Sequence, residues 1–195
     1  MQECRIAATD LACRRGDRIL FAGLSLSLCA GEALRVAGSN GIGKSSLIRI
    51  LAGLLRPFAG NVERMCAPGL LDENPALDPY ATLGAALAFW QRIDGPDADQ
   101  SEQLHRLGLA DLLDVPVGYL STGQMKRAAL ARLIGQDASI WLLDEPLNGL
   151  DTQAVALTEQ LASEHCRAGG ICVIASHQPF AMTDMRTLNL ADFVP

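Results

Sequence analysis

Eight consecutive residues, Gly38, Ser39, Asn40, Gly41, Ile42, Gly43, Lys44 and Ser45, have the types and spacing needed to hold a polyphosphate. They fit the pattern G-x-x-x-x-G-K-[ST]. The glycines let the backbone turn until several N–H groups point at one anion, and a helix starting there adds the positive end of its dipole. Lys44 is placed to reach the β- and γ-phosphates, and the Ser45 hydroxyl to meet a Mg²⁺ that they carry. Ser46 completes the nucleotide-binding set at this helix start.

Farther along, Ile140, Trp141, Leu142 and Leu143 lead into Asp144, Glu145 and Pro146. Ligands of open parallel sheets bind where strands end. Asp144 is therefore placed to hold the Mg²⁺, through water, and Glu145 to orient or deprotonate an attacking water. A plainer alternative has the pair only ending a strand and starting a turn. Ser176 and His177 follow a third apolar run, and the same geometry carries His177 to that rim. As a capping residue His177 would need no chemistry. His105 and His165 have no such placement and read as surface residues. Ser121, Thr122, Gly123 and Gln124 form another candidate: Ser121 with Gln124 three residues on is a capping box. The helix start it predicts is either a second anion site or an ordinary cap.

The elements that must position these groups read as α/β. Ala33–Ala37, 139–143 and Ile171–Ala175 are short, unalternating apolar runs, as buried parallel strands are. Apolar spacing predicts a helix over 44–55, stopped by Pro57, and two more over 81–92 and 101–113 joined by a polar turn at 94–99. The prediction is a parallel-sheet core with a smaller helical insert.

Composition narrows the classes. Hydrophobic residues are 49% and charged ones 19% of 195, a globular balance for one domain. The net charge of −6 argues against general affinity for nucleic acid or anionic lipid. Lys44 and Lys126 are the only lysines. The six cysteines show no metal-ligand spacing and are expected reduced, as small hydrophobes of a cytosolic protein. Residues 1–10 lack the apolar core of an export signal, and the longest apolar runs fall short of the roughly 20 residues of a membrane span.

Leu120, Ser121, Thr122, Gly123 and Gln124, lying upstream of a strand that ends Asp144, Glu145, Pro146, resemble the signature of ATP-binding-cassette ATPases. Asn148, Gly149, Leu150 and Asp151 are similar to that family's D-loop, and Ser176 and His177 to its switch. The resemblance spans Gly38 to His177. It implies a P-loop NTPase fold with a RecA-like parallel core, a small N-terminal antiparallel β region and an inserted helical subdomain. The chain would be one nucleotide-binding domain, with 1–71 and 135–195 as catalytic core and 72–134 as the signature subdomain. It further implies ATP and Mg²⁺ as cofactors, Glu145 and His177 as catalytic residues, and a head-to-tail dimer in which Ser121 and Gly123 close over a partner's ATP. Integral membrane permease subunits would hold the chain at the membrane indirectly.

More narrowly, the chain resembles the ATP-binding subunits of the haem exporter of bacterial cytochrome c maturation. The likeness lies in its small size and in residues 18–26, 38–41, 120–127 and 169–179. That implies a peripheral position on the cytoplasmic face of the inner membrane. Cys13, placed in a polar turn, and His177 are poor haem ligands. Departures from the family pattern are Asn74 where a metal-sensing glutamine is usual, and Arg15 where an aromatic stacks on adenine. The region 60–71 is shorter than the family's β-hairpin region, which implies a trimmed subdomain. Leu77, Tyr80, Leu83, Leu87, Phe89 and Trp90 are either core of the insert or a groove for a membrane partner's helix. Alternatives to the transport motor are a binding module with little turnover and, disfavoured by the acidic charge, a soluble cassette acting on DNA or ribosomes.

Overall fold

Two long strands, β1 (Arg5–Arg15) and β2 (Arg18–Cys29), pair antiparallel at the start of the chain. β4 (Ala59–Arg64) adds to the other edge of β1, closing a three-stranded sheet of order β2-β1-β4. The computed structural model describes residues 4–94 and 101–195. A second sheet has five strands: β3 (Ala33–Ala37), β5 (Pro68–Leu71), β6 (Ile140–Asp144), β7 (Ile171–Ala175) and β8 (Arg186–Asn189). Its order is β5-β6-β7-β3-β8 and every pair in it is parallel.

All five residues of β6 and of β7 are buried, as uninterrupted apolar runs require when both faces of a sheet are covered. Ile140 and Leu142 face one core, with Val173, Val36 and Leu47, Ile48 and Leu51 of helix α1 (Lys44–Ala52). Trp141 and Leu143 face the other, with Ile174 and the helices α2 (Leu83–Asp94), α4 (Thr122–Gly135) and α5 (Thr152–Arg167). α3 (Ser101–Arg106) lies outside them and buries no residue. The anticipated architecture of parallel core, antiparallel N-terminal sheet and helical insert is the one found.

Five expectations need correction. α1 ends before Pro57, because Gly53 takes a left-handed φ of 83° and its N–H returns to the Arg49 and Ile50 carbonyls. The helix expected over 101–113 stops at Arg106: Gly108 turns the chain at φ 63°, and a separate 3₁₀ turn follows at Ala110–Leu112. The polar turn at 94–99 lies, beyond Asp94, outside the described residues. Cys4 and Cys66 are joined as a disulfide, against the expectation of six reduced cysteines. The β1–β4 ladder that sets Ile6 opposite Arg64 also brings these two together, Cα atoms 5.6 Å apart. Cys13 is buried within β1 rather than in a turn. His165 is only half-exposed, for its ring stacks on Trp141 at 4.1 Å, while His105 is exposed as expected.

The run after Asn74 divides. Leu77, Leu83 and Leu87 are core, whereas Tyr80 is 92% and Phe89 50% exposed. No helix among the described residues is long and apolar enough to cross a membrane.

Candidate active site

β3, β6 and β7 lie side by side in register, Val36 opposite Ala175 and Asp144 opposite Ala175. The segments leaving their carboxyl ends must therefore gather at one rim. From β3 comes the loop Gly38 to Gly43, from β6 Glu145, and from β7 Ser176 and His177. They enclose a cavity of about 310 Å³ lined by Asn40, Gly41, Gly43, Lys44, Ser45, Ser46, Glu145 and His177, with Leu20, Glu73 and Asn148.

Gly43 stands at φ 120°, and a Cβ there would come within 3.2 Å of Leu20 and Phe21, so only glycine suits the position. It caps α1 without a side chain, which leaves the first-turn N–H groups to an anion. Lys44 is 5% exposed; its Nζ donates to the Gly38 and Ser39 carbonyls at 2.9 and 3.2 Å and meets Glu145 Oε1 at 3.4 Å. These are contacts that a phosphate can replace, since all three partners are acceptors.

Glu145 is the junction of the site. Its backbone φ of 47° is left-handed, a strained pose for a residue with a side chain. The N–H donates to the Ala175 carbonyl at 2.8 Å, and Oε2 lies 2.8 Å from His177 Nδ1. Asp144 is 4% exposed. Burial pushes its carboxyl above the usual carboxylate range; the Ser45 hydroxyl donates to it and opposes that rise, while Glu145, Glu73 and Asp72 add to it. Its Oδ1 is buried with no hydrogen-bond partner. An orphaned carboxylate oxygen beside a serine hydroxyl suits an oxygen-preferring dication. Among the described residues no three His, Cys, Asp or Glu side chains converge as a ready metal site, so phosphate and water oxygens would have to complete its shell.

The capping box at Ser121 forms with both bonds, Gln124 N–H to Ser121 Oγ at 3.3 Å and Ser121 N–H to Gln124 Oε1 at 2.8 Å. None of Ser121, Thr122, Gly123 and Gln124 lines the Lys44 cavity. Thr122 lines an adjoining one of about 460 Å³, with Lys126 and Met125, which shares Glu73 and Asn148 with the first. Asp151 caps α5, accepting from Ala154 N–H at 2.8 Å. Arg15 is exposed at the end of β1 and does not reach the cavity, where the β1–β2 side contributes Leu20 instead. Asn74 is exposed and its neighbour Glu73 lines the cavity in its place. Glu73 was missed because β5 was not recognised: Leu71 ends that strand, and the rule that found Glu145 would have found Glu73.

A sequence model described as ABC transporter matches residues 21–148. The cytochrome c biogenesis ATP-binding export protein CcmA of Novosphingobium aromaticivorans is 60% identical over 195 residues, all of both chains. That of Zymomonas mobilis is 47% identical over 97% of this chain and 86% of its own. A protein described as a metal-chelate-type ABC transporter, solved in an inward-facing conformation, superposes with a TM-score of 0.77 at 25% identity, over 90% of this chain and 74% of its own. The chain is thus a nucleotide-binding ATPase of the ABC type, and it belongs to the family of cytochrome c biogenesis ATP-binding export proteins.

Proposed function

We propose that the chain is the ATP-hydrolysing subunit of an inner-membrane haem export complex serving cytochrome c maturation. It would lie on the cytoplasmic face, held by integral membrane permease subunits, without nucleic acid as a partner. The observation that carries the catalytic part is the Glu145 carboxylate held between Lys44 at 3.4 Å and His177 at 2.8 Å, on a rim built by three strand ends. Its placement in the haem complex is supported by the full-length relative that is 60% identical.

In this reading the loop Gly38 to Ser46 binds the phosphates through backbone N–H groups, and Lys44 exchanges Glu145 for the β- and γ-oxygens. Glu145 so released accepts a proton from the attacking water, and His177 Nδ1 keeps the carboxylate aimed. Ser45 and Asp144 would hold Mg²⁺, which supplies charge neutralisation at the phosphates. The start of α4 at Ser121, absent from its own chain's nucleotide cavity, serves the second cassette of a head-to-tail dimer. Residues 72–134 form the signature subdomain, and 1–71 with 135–195 the catalytic core. Tyr80 and Tyr119 are 92% and 83% exposed on neighbouring segments, tied by Gly118 N–H to the Pro79 carbonyl at 2.9 Å. Such apolar exposure suits a membrane partner.

The test is recovery of the tagged chain from gently solubilised native membranes, with ATP turnover measured on the recovered complex. Haem-handling membrane proteins and turnover lost in Glu145→Gln are expected. An unrelated permease would overturn the haem assignment, and absence of turnover with partners present would overturn the motor.

A further inference from the structure

The chain has two lysines, and both touch Glu145: Lys44 its carboxylate, Lys126 its backbone carbonyl, with Nζ 2.5 Å from the oxygen. The catalytic scheme gives Lys126 no task. It projects from α4 little more than one turn beyond the capping Ser121, half-buried, where the charges of Glu73, Glu145 and Asp144 act on it. A neutral donor could satisfy the carbonyl, but it would leave Glu73 and Glu145 without this nearby cation once Lys44 has turned to phosphate.

Glu145 keeps a left-handed φ of 47° that side-chain-bearing residues rarely hold unaided. Among the described residues its backbone is held by three contacts: Ala175 accepts its N–H, Asn148 N–H lies 3.3 Å from its carbonyl, and the Lys126 ammonium donates to that carbonyl. The carbonyl direction fixes the peptide plane before Pro146, and with it the origin from which the carboxylate is aimed.

We propose that Lys126 is a positioning residue for hydrolysis: its ammonium on the Glu145 carbonyl holds the carboxylate in its water-activating pose and ties that pose to the first turns of the signature helix. The proposal rests on Glu145 as the group that activates water. It gives a physical link by which occupation of the Ser121 end of α4 is felt at the carboxylate of the same subunit.

The experiment compares Lys126→Met, Lys126→Arg and Glu145→Gln in the complex with its membrane partners, reading kcat, KM and thermal unfolding with MgATP. Loss of one charge-assisted hydrogen bond predicts a kcat lower by about 10- to 100-fold in Lys126→Met. KM stays at the wild-type value, any fall in unfolding temperature leaves the complex folded at the assay temperature, and Lys126→Arg recovers most of the rate. Unchanged kcat, or a joint decline of kcat, KM and folding that arginine does not rescue, overturns the proposal. If the methionine variant does not assemble, Lys126→Gln must show the same selective loss of kcat or the proposal fails. Glu145→Gln separates the layers: if that variant keeps its turnover, the role of Glu145 itself is wrong, whatever Lys126 does.

Discussion

Replacing Glu145 by glutamine keeps the shape of the side chain and removes one charge, and its effects on binding and turnover should point in opposite directions. The carboxylate lies 3.4 Å from the Lys44 ammonium, both groups being largely buried. At that distance and an effective dielectric near 20, two unit charges attract by about 5 kcal/mol. Most of this is offset, because the ammonium regains partners on phosphate and the carboxylate no longer opposes the γ-phosphate. A net gain of ~1 kcal/mol, about fivefold in MgATP affinity, is what remains. Turnover should fall by about 10²- to 10⁴-fold, the usual worth of a positioned general base. Calorimetry measures the first and phosphate release by the assembled complex the second. Turnover equal to wild type, or binding weakened along with it, would refute the reasoning.

Other consequences concern the frame around the site. Ser121→Ala removes the hydroxyl that accepts from the Gln124 N–H but keeps the Ser121 N–H that donates to Gln124 Oε1, and should cost about 1 kcal/mol, or ~2–4 °C in unfolding temperature; an unchanged transition would show that the hydroxyl cap is not needed. Burial against Trp141 holds the His165 imidazole below its ordinary range, so the unfolded chain takes up the proton first as pH falls. Its contribution to stability is complete above the ordinary histidine value of 6.5 and is lost as pH drops through the lower folded value. His165→Phe keeps a stacked ring and should flatten that slope in urea unfolding measured on both sides of the window; equal slopes in the two proteins would contradict it.

The positions of the loop Gly38 to Gly43, of the acidic strand end and of His177 were legible because each follows a local pattern whose place is dictated by one strand. Three strand ends suffice to bring Lys44, Glu145 and His177 together, so the sequence of short apolar runs predicts the rim. What was not legible depends on partners distant in the chain. β5 is four residues long and reads as part of a hairpin until β6 is known to lie beside it, which hid Glu73. Gly108 ends a pattern whose apolar spacing continues past it, since spacing does not register a left-handed glycine. The Cys4–Cys66 pair follows from the β1–β4 register, and register is not encoded in cysteine spacing. Lys126 stood out as one of two lysines, but its carbonyl partner is visible only once α4 packs against the end of β6.

Titration calorimetry of MgATP into the full chain tests the central claim, a glycine-bounded loop and one ammonium that grip a triphosphate. Saturable uptake by the wild type, largely lost in a Lys44→Ala variant of unchanged circular dichroism, is the predicted result. No uptake by folded wild-type protein, or uptake undiminished in the variant, would contradict it.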